Sequence, residues 1–229
     1  MKLHKTITVD GQPLKLVNDT VRLSLKTPGT ANFVVQASTP LQGIVQFNQG
    51  YSPKNLAPYF TGFIETSNRV DKNQQRIFCR ELPAVLAYPI KMALRNVSLS
   101  DVLAVITKKT GLNFTLNHSS NKLLPFFYAM GSGYHNMENL GLAFGIEQYL
   151  WQQQPDGNIY VGSLANAPFN KTIAIPDNYF TNHGVANRAK MALIEKTRPG
   201  LNLEGRGIIT TVESSGQHML LSWNKNPWM

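Results

Sequence analysis

The sequence is short of charged residues, of cysteine and of long apolar runs. Charged side chains make up 15% of its 229 residues, against about 25% in a typical soluble domain. Cys79 is the only cysteine, so no disulfide can form within the chain, and we expect a small core residue in mid-strand. No run approaches the roughly 18 apolar residues of a membrane span, and Met1–Asp10 lacks the apolar centre of a signal peptide. These absences predict a soluble chain that is made in a cytoplasm and has no membrane span.

Signatures of catalysis and of cofactor binding are also missing. Glu138 and Glu147, candidates for the carboxylate pair of a cell-wall hydrolase, stand nine residues apart on a weak helical pattern and do not share a face cleanly. The histidines show no HxxxH or HxH spacing, and we expect His118 and His135 to lie in loops. Neither GxxxxGK(S/T) nor GxGxxG occurs. The sequence therefore predicts no catalytic residue, no cofactor and no metal, and hence a protein that is not an enzyme.

Amide side chains are common where charges are scarce. Asn and Gln together number 33. Because the centres of protein interfaces are depleted in charged residues, this balance favours a chain whose faces are largely covered by neighbouring subunits. A monomer with a neutral surface is the alternative interpretation.

The chain is basic, with a net charge of +9 and a pI of about 9.7. The charges are scattered, and Lys108-Lys109 is the only adjacent basic pair. Arg69, Lys72 and Arg76 lie near one predicted hairpin tip, but no aromatic residue stands among them, as base stacking would require. The charge gives weak support for an acidic partner, which would be protein surface or passing DNA. An OB-like nucleic-acid-binding protein remains an alternative function.

Short strands are predicted in the first part of the chain. Asp10-Gly11-Gln12-Pro13 is a strong turn signal between two of them. From Phe60 to Leu82, two alternating runs flank a polar tip at Asn68–Gln75, which indicates a long hairpin. Turns that recur about every 8 to 12 residues favour a small barrel or sandwich. We predict a first β-barrel domain over residues 1–90.

The periodicity becomes helical in the middle of the chain. Ser98, with Asp101 three residues later, predicts a helix start, and Gly111 predicts its left-handed end. A second helical stretch falls within Asn136–Leu150, and a hairpin follows it across Pro155-Asp156-Gly157. These elements predict an α/β domain over residues 91–165.

Alternating strands return in the last part. Ile208–Val212 and Met219–Trp223 flank a turn-rich segment, which predicts a second β-barrel domain over residues 166–229. We expect Phe60–Leu82 and Ile208–Trp223 to occupy equivalent places in two similar small barrels. The predicted fold class is mixed and mainly β, with two small β-barrels flanking an α/β unit.

Five segments resemble one known family. They are FTGFIETSNRVD (Phe60–Asp71), IFCREL (Ile77–Leu82), LRNVSLSDVLAVITKKTGLNF (Leu94–Phe114), YLWQQQPDGNIYVGS (Tyr149–Ser163) and RPGLNLEGRGIITTVESSGQHMLLSW (Arg198–Trp223). In the order and the residue pattern of these segments, the chain is similar to the tail and baseplate hub proteins of Mu-like and related tailed bacteriophages. That family is related to the N-terminal part of type VI secretion spike proteins.

The resemblance implies a structural role at the distal end of a phage tail. Three subunits with two barrels each would form a pseudo-six-fold ring that joins the tail tube to the tip, and the virion component would be assembled in the host cytoplasm. The implied partners are sister subunits, a tail tube or distal tail protein, a spike or tip protein, the tape measure protein, and DNA that passes through the lumen. A tail-associated cell-wall hydrolase is a further alternative. The subunit-interface candidates are Phe63, Ile64, Tyr149, Trp151 and Trp223.

Many such hubs are longer than this sequence and continue towards the spike. This sequence ends soon after Trp223, at Asn226-Pro227-Trp228-Met229. We therefore expect either a minimal hub with a separate spike or a tail component of neighbouring function.

Overall fold

The computed structural model describes residues 2–117, 122–184 and 187–228, with the backbone alone for 182–184. The chain forms two compact units. Residues 1–81 and 171–229 form the first, called the strand unit below, and residues 82–170 form the second, called the middle unit. The three-domain division at residues 90 and 165 stays a prediction.

Thirteen strands build the strand unit. Those of the first part are β1 (His4–Val9), β2 (Gln12–Leu14), β3 (Leu16–Ser24), β4 (Thr30–Gln36), β5 (Ile44–Gly50), β6 (Ala57–Asp71) and β7 (Gln74–Glu81). Those of the last part are β13 (Thr172–Ile173), β14 (Phe180–Gly184), β15 (Arg188–Ala192), β16 (Asn202–Leu203), β17 (Gly207–Ser215) and β18 (His218–Asn224). The β1–β2 turn has positive φ at both Asp10 (47°) and Gly11 (79°), as a tight hairpin requires.

All thirteen strands belong to one sheet, whose main path is β14-β15-β18-β17-β3-β4-β7-β6-β5-β1-β2. The two parts meet where β17 pairs antiparallel with β3, from Thr211 opposite Ser24 to Ser215 opposite Thr20. On one side of this seam follow β3, β4, β7 and β6, and on the other follow β17, β18, β15 and β14. Every pair within these two sets is antiparallel. The sheet thus consists of two four-stranded sectors joined at the seam, with further strands at its margins.

The single sheet corrects one expectation from the sequence. Phe60–Leu82 and Ile208–Trp223 were expected in separate barrels, and that is wrong because β17 bonds to β3 and continues the same ladder. Counted from the seam, β17–β18 corresponds to β3–β4, whereas β6–β7 corresponds to β14–β15. The mixed, mainly β fold class itself is confirmed.

The strand unit has two hydrophobic clusters. The first lies under β1 and β3–β7 and includes Phe33, Phe47, Phe60, Ile77 and Cys79. The second lies under the strands of the last part and includes Phe180, Met191, Ile209, Leu221 and Trp223. Cys79 is fully buried, as expected of a small core residue. Each sector of the sheet therefore packs on its own core.

The middle unit mixes helices with two small sheets. Its elements are β8 (Met92–Val97), α1 (Leu99–Thr110), β9 (Phe114–Asn117), β10 (Leu124–Ala129), α2 (Gly133–Phe144), β11 (Tyr149–Gln153) and β12 (Ile159–Ser163). Strands β11, β12 and β9 form one sheet, in which β12 and β9 are parallel, and β10 pairs with β8 in the other. One apolar cluster fills the unit and includes Val102, Ile106, Met137, Leu140 and Val161.

The helix ends follow from the capping residues. The Ser98 side chain accepts a hydrogen bond from Asp101 N, and the Asp101 carboxylate accepts one from Ser98 N, so α1 begins with the predicted capping box. Gly111 ends α1 in the left-handed region at φ 75°. Helix α2 begins at Gly133 because Ser132 caps it. His135 therefore lies in the first turn of a helix and not in a loop, while His118 lies outside the described residues.

Within the described residues, neither helix has the length and hydrophobicity that a membrane crossing requires.

Candidate functional site

A buried polar cluster joins the first and last parts of the chain inside the strand unit. Glu81, at the end of β7, accepts hydrogen bonds from Gly29 N at 2.6 Å and from Arg198 Nη2 at 3.4 Å. Arg198 also donates through Nη1 to the Tyr59 carbonyl, and its guanidinium lies 5.8 Å from the Tyr59 ring centroid. All three of these side chains are buried. One guanidinium from the last part of the chain thus binds two strands of the first part.

Burial controls the protonation of this cluster. Burial raises the pKa of Glu81 above its ordinary value, and the charge of Arg198 and the hydrogen bond from Gly29 oppose that shift. Burial also raises the pKa of Tyr59 to about 12, again against the charge of Arg198. Since a buried charge without its partner is costly, the carboxylate and the guanidinium depend on each other. The arrangement can hold strands together, but it presents no exposed group to a substrate.

Two more polar contacts connect the same parts of the chain. The Glu195 carboxylate accepts a hydrogen bond from Tyr51 N at 3.1 Å, just beyond the end of β5. The Lys5 ammonium group lies 2.5 Å from the Asp19 carboxylate and 2.6 Å from the Gly216 carbonyl, in the β17–β18 turn. The contacts between the two parts therefore include several polar ones that are specific in position.

Trp223, one of the predicted interface residues, lies in the second core of the strand unit. Its indole is buried, and the Arg206 guanidinium lies over it, 5.1 Å from the ring centroid. The same guanidinium is 4.6 Å from the Phe180 ring centroid and pairs with Asp177. Trp223 therefore contributes mainly to its own subunit, and its part in a subunit contact stays a prediction.

Tyr149 and Trp151, two further interface candidates, lie on β11 in the middle unit. Trp151 is buried, donates from Nε1 to the Glu138 carboxylate at 2.9 Å, and stacks on Tyr134 with 5.9 Å between ring centroids. Burial raises the pKa of Tyr149 well above its ordinary value, and the negative charge of Glu138 adds to the shift. Both rings pack against the core of the unit, so their subunit contacts also stay a prediction.

Phe63 and Ile64, the remaining candidates, point to opposite faces of β6. Ile64 packs against the first core, whereas Phe63 is half-buried on the other face. Phe63 stands opposite Ile44 on β5 and opposite Arg80 on β7. Arg80 in turn lies over the ring of Phe78 at 6.0 Å. Ile44, Phe63 and Phe78 thus form a partly exposed apolar strip, called the outer strip below.

Glu138 and Glu147, the two carboxylates that were considered as a hydrolase pair and not predicted to be catalytic, have different surroundings. Glu138 lies on α2 and is engaged by Trp151, and Glu147 is exposed beyond the end of the helix. In the part of the chain that the structure describes, no three His, Cys, Asp or Glu side chains are grouped closely enough to hold a metal ion.

A strongly exposed apolar surface lies on the two-stranded sheet β8–β10, and the sequence did not indicate it. Phe126 and Tyr128 on β10 are 68% and 70% exposed, and Met130, just after the strand, is 52% exposed. Across the strand pair, Arg95 stands opposite Phe126 with its guanidinium 5.5 Å from the ring centroid. We call these four residues, together with Lys91, the aromatic face. The run Leu124–Ala129 is rich in aromatic residues, which was the signal for a strand here.

Comparisons with known proteins give one relative by sequence. Over 225 residues the chain is 28% identical to an uncharacterised 58.7 kDa protein from the lys 3′ region of Haemophilus phage HP1 (strain HP1c1). The match covers 97% of this chain and 42% of that protein, so the chain spans about two fifths of the length of its curated relative. No protein-family model matches the chain.

Similar solved structures come from tails and a related secretion system. A 43 kDa tail protein of prophage MuSo2 from Shewanella oneidensis has a TM-score of 0.72 at 10% identity, over 96% of this chain and 97% of that one. A tail protein from Neisseria meningitidis MC58 has a TM-score of 0.67 at 8% identity, over 96% of both chains. The E. coli c3393 protein, a type VI secretion component, has a TM-score of 0.62 at 12% identity, over 94% of this chain and 75% of that one.

At identities of 8 to 12%, these similarities show the fold alone. They cover 94 to 96% of this chain, so the fold is shared over nearly its whole length. The resemblance drawn from the sequence is confirmed. The chain has the fold of phage tail proteins.

Proposed function

We propose that this chain is a structural hub protein at the distal end of a phage tail. Three copies form a pseudo-six-fold ring that joins the tail tube to the tip or spike. The observation that carries the proposal is the division of one sheet into two four-stranded antiparallel sectors, each with its own core. A subunit with two such sectors contributes two of six positions around a ring, so three subunits complete it.

The single sheet removes the two separate barrels from which the ring was first inferred, so the proposal now rests on the two sectors of that sheet. Because the β3–β17 pair continues the ladder from one sector to the next, the angle between the sectors is fixed by backbone hydrogen bonds. A ring that must hold its shape under load benefits from a rigid connection of this kind. The buried Glu81–Arg198 pair supports the same joint from inside.

The outer strip is the proposed site of subunit contact. Its members are apolar and partly exposed on three neighbouring strands, with Ile44 opposite Phe63, and with Arg80 opposite Phe63 and over the Phe78 ring. Apolar side chains around an arginine are typical of protein interfaces. In this arrangement Phe63 is the central contact, while Ile64, Tyr149, Trp151 and Trp223 support the surfaces from within their cores.

The remaining assignments follow from the hub role. The partners are sister subunits, a tube or distal tail protein, a spike or tip protein and the tape measure protein, and DNA passes through the lumen without a specific site. The protein is located in the virion tail tip after assembly in the host cytoplasm. It performs no catalysis, since Glu138 is committed to Trp151 and Glu147 stands apart from it in the sequence.

Native mass spectrometry of purified tail tips, and of the isolated chain, tests the trimer. We expect a particle of three times the 25.5 kDa chain mass. Phe63→Glu should convert it to smaller species, because a carboxylate would then be buried in the contact. Val17→Glu, at an exposed apolar residue on β3, is the matched control and should leave the trimer intact. A chain that is monomeric in assembled tail tips would contradict the proposal.

A further inference from the structure

We propose that the aromatic face of β8–β10 is a docking surface for an acidic, apolar-bearing segment of a different tail protein. The proposal goes beyond the proposed hub role, whose subunit contact is assigned to the outer strip. Phe126, Tyr128, Met130 and Arg95 are of the residue types, aromatics, Met and Arg, that are enriched where proteins bind one another, and Lys91 adds a second positive charge.

Exposure shows that this surface lacks a partner within its own unit. The alternating residues of β10 point inward at Phe127 and Ala129, which are buried, and outward at Phe126 and Tyr128. The inward residues already pack in the core of the middle unit. Because the outward rings are exposed, the unit gains little hydrophobic stabilisation from them. Exposed apolar patches of this kind mark surfaces that another chain covers.

The charge of the face identifies the kind of occupant. Neither β8 nor β10 carries a carboxylate, while Arg95 lies on β8 and Lys91 directly precedes it. Lys109, from α1, donates to the Lys91 carbonyl at 2.6 Å and brings a third cation to the same edge. Among the described residues, no ion pair neutralises any of these three side chains. Cations around an apolar centre fit an acidic segment that also carries apolar side chains.

The geometry of Arg95 favours protein over nucleic acid. Its guanidinium covers the Phe126 ring, so that ring has one face already occupied and is a poor platform for a base. A guanidinium that lies over a ring keeps its N–H donors, and a carboxylate can accept two of them. The same face of a second copy is disfavoured as the occupant, because Arg95, Lys91 and Lys109 would then meet the same three cations.

Met130 provides a direct readout in the assembled tail. Met92, Met137, Met191 and Met219 are buried, so Met130 is the exposed methionine among those that the structure describes. Oxidation by dilute hydrogen peroxide, followed by peptide mass spectrometry, should modify Met130 in the isolated chain and in the isolated trimer. We expect at least about tenfold slower oxidation in assembled tails, because a covered thioether is shielded from the reagent. Equal rates in all samples would overturn the proposal, and so would protection in the isolated trimer, which would make another copy the occupant.

A defined probe tests the chemistry of the occupant. A fluorescent dodecapeptide of alternating Glu and Leu should bind the isolated chain more tightly than its Lys–Leu counterpart or oligothymidine. Arg95→Glu should reverse the preference between the two peptides, and Phe126→Ser with Tyr128→Ser should weaken binding about tenfold or more. Leu142→Ser is the matched control, since Leu142 is 88% exposed on α2 of the same unit, and it should change nothing.

Other results of the peptide experiment decide against the proposal. Tighter binding of oligothymidine would identify a nucleic-acid surface, and equal binding of both peptides would remove the role of the cations. The hub proposal fails separately, through the mass of the tail-tip particle, so the two failures are distinguishable.

Discussion

In the strand unit the two ends of the chain meet through buried polar groups, whereas the middle unit closes a single stretch of sequence around one apolar cluster. Residues 82–170 separate the two parts of the strand unit. Their contacts include the Glu81–Arg198 pair, the bond from Lys5 to the Gly216 carbonyl and the bond from Tyr51 to Glu195. The middle unit instead depends on capped helices and on apolar packing.

Charge follows the same division. The middle unit has five basic and four acidic residues, for a net charge of +1, which leaves +8 of the total +9 on the strand unit. The middle unit nevertheless has the aromatic face with its unneutralised cations. The comparison indicates that the local unit is held by apolar packing and short-range hydrogen bonds, while the two parts of the strand unit, which are distant in sequence, also use a buried ion pair.

The largest expected effect comes from breaking the buried ion pair. Arg198→Met should lower the free energy of unfolding of the strand unit by about 3 to 5 kcal/mol, because Glu81 is left buried without its partner. Hydrogen exchange of peptides from β7 and from α1, measured in urea, reports each unit separately. Arg80→Met is the matched control, since Arg80 pairs with Glu65 at a partly exposed site and should cost about 1 kcal/mol or less. If the double variant Arg198→Met with Glu81→Met were no more stable than Arg198→Met alone, the explanation would be wrong.

The sequence predicted local features of the fold well and long-range ones poorly. Ser98, Asp101 and Gly111 identified α1 correctly, because a cap and its partner lie within a few residues of each other. The β3–β17 pair joins residues almost two hundred positions apart, and no turn or periodicity specifies which strand meets which. The alternation of apolar and polar residues predicted where strands form, but it did not predict their order in the sheet.

The same limit applies to the candidate sites. Nothing in the sequence around Arg198 predicts a buried partner at Glu81. Phe126 and Tyr128 were missed although their run was readable as a strand, and only the structure shows which of the aromatic residues are left outside the core. Exposure depends on the whole fold, and sequence pattern gives it only where one face is clearly polar.

Alkaline pH should lower the free energy of unfolding by a smaller amount. The effect reports on the first core, because Cys79 lies there. Burial raises the pKa of the Cys79 thiol from 9.0 to about 12. The unfolded chain therefore loses this proton above pH 9, whereas the folded chain keeps it until about pH 12. Stability from this group is complete below pH 9 and declines as pH rises, by about 1.4 kcal/mol per pH unit, or about 2 to 3 kcal/mol by pH 11.

Cys79→Ala isolates that contribution. The variant loses packing at every pH, so the quantity to compare is the change in unfolding free energy between pH 8 and pH 11, not its absolute value. We expect a smaller decline in the variant than in the original chain. Tyr59, whose pKa burial raises to about 12, contributes equally in both and cancels. Identical declines would show that the thiol is not protected by the fold.

The smallest effect is expected in the middle unit, where a glycine permits close packing of a ring. A Cβ atom at Gly141 would lie 2.5 Å from Cγ of Tyr149, well inside van der Waals contact. Gly141→Ala should therefore lower the stability of the middle unit by about 1 to 2 kcal/mol, because the steric cost exceeds the gain in helix propensity. Leu142→Ala, at the next and strongly exposed position of α2, is the control and should be within about 0.5 kcal/mol of the original chain. Exchange of α1 and α2 amides in urea measures both variants, and β7 amides should not respond. A stabilising Gly141→Ala would mean that Tyr149 moves away at little cost. The packing around this ring in the middle unit would then be looser than the packing around Arg198 in the strand unit.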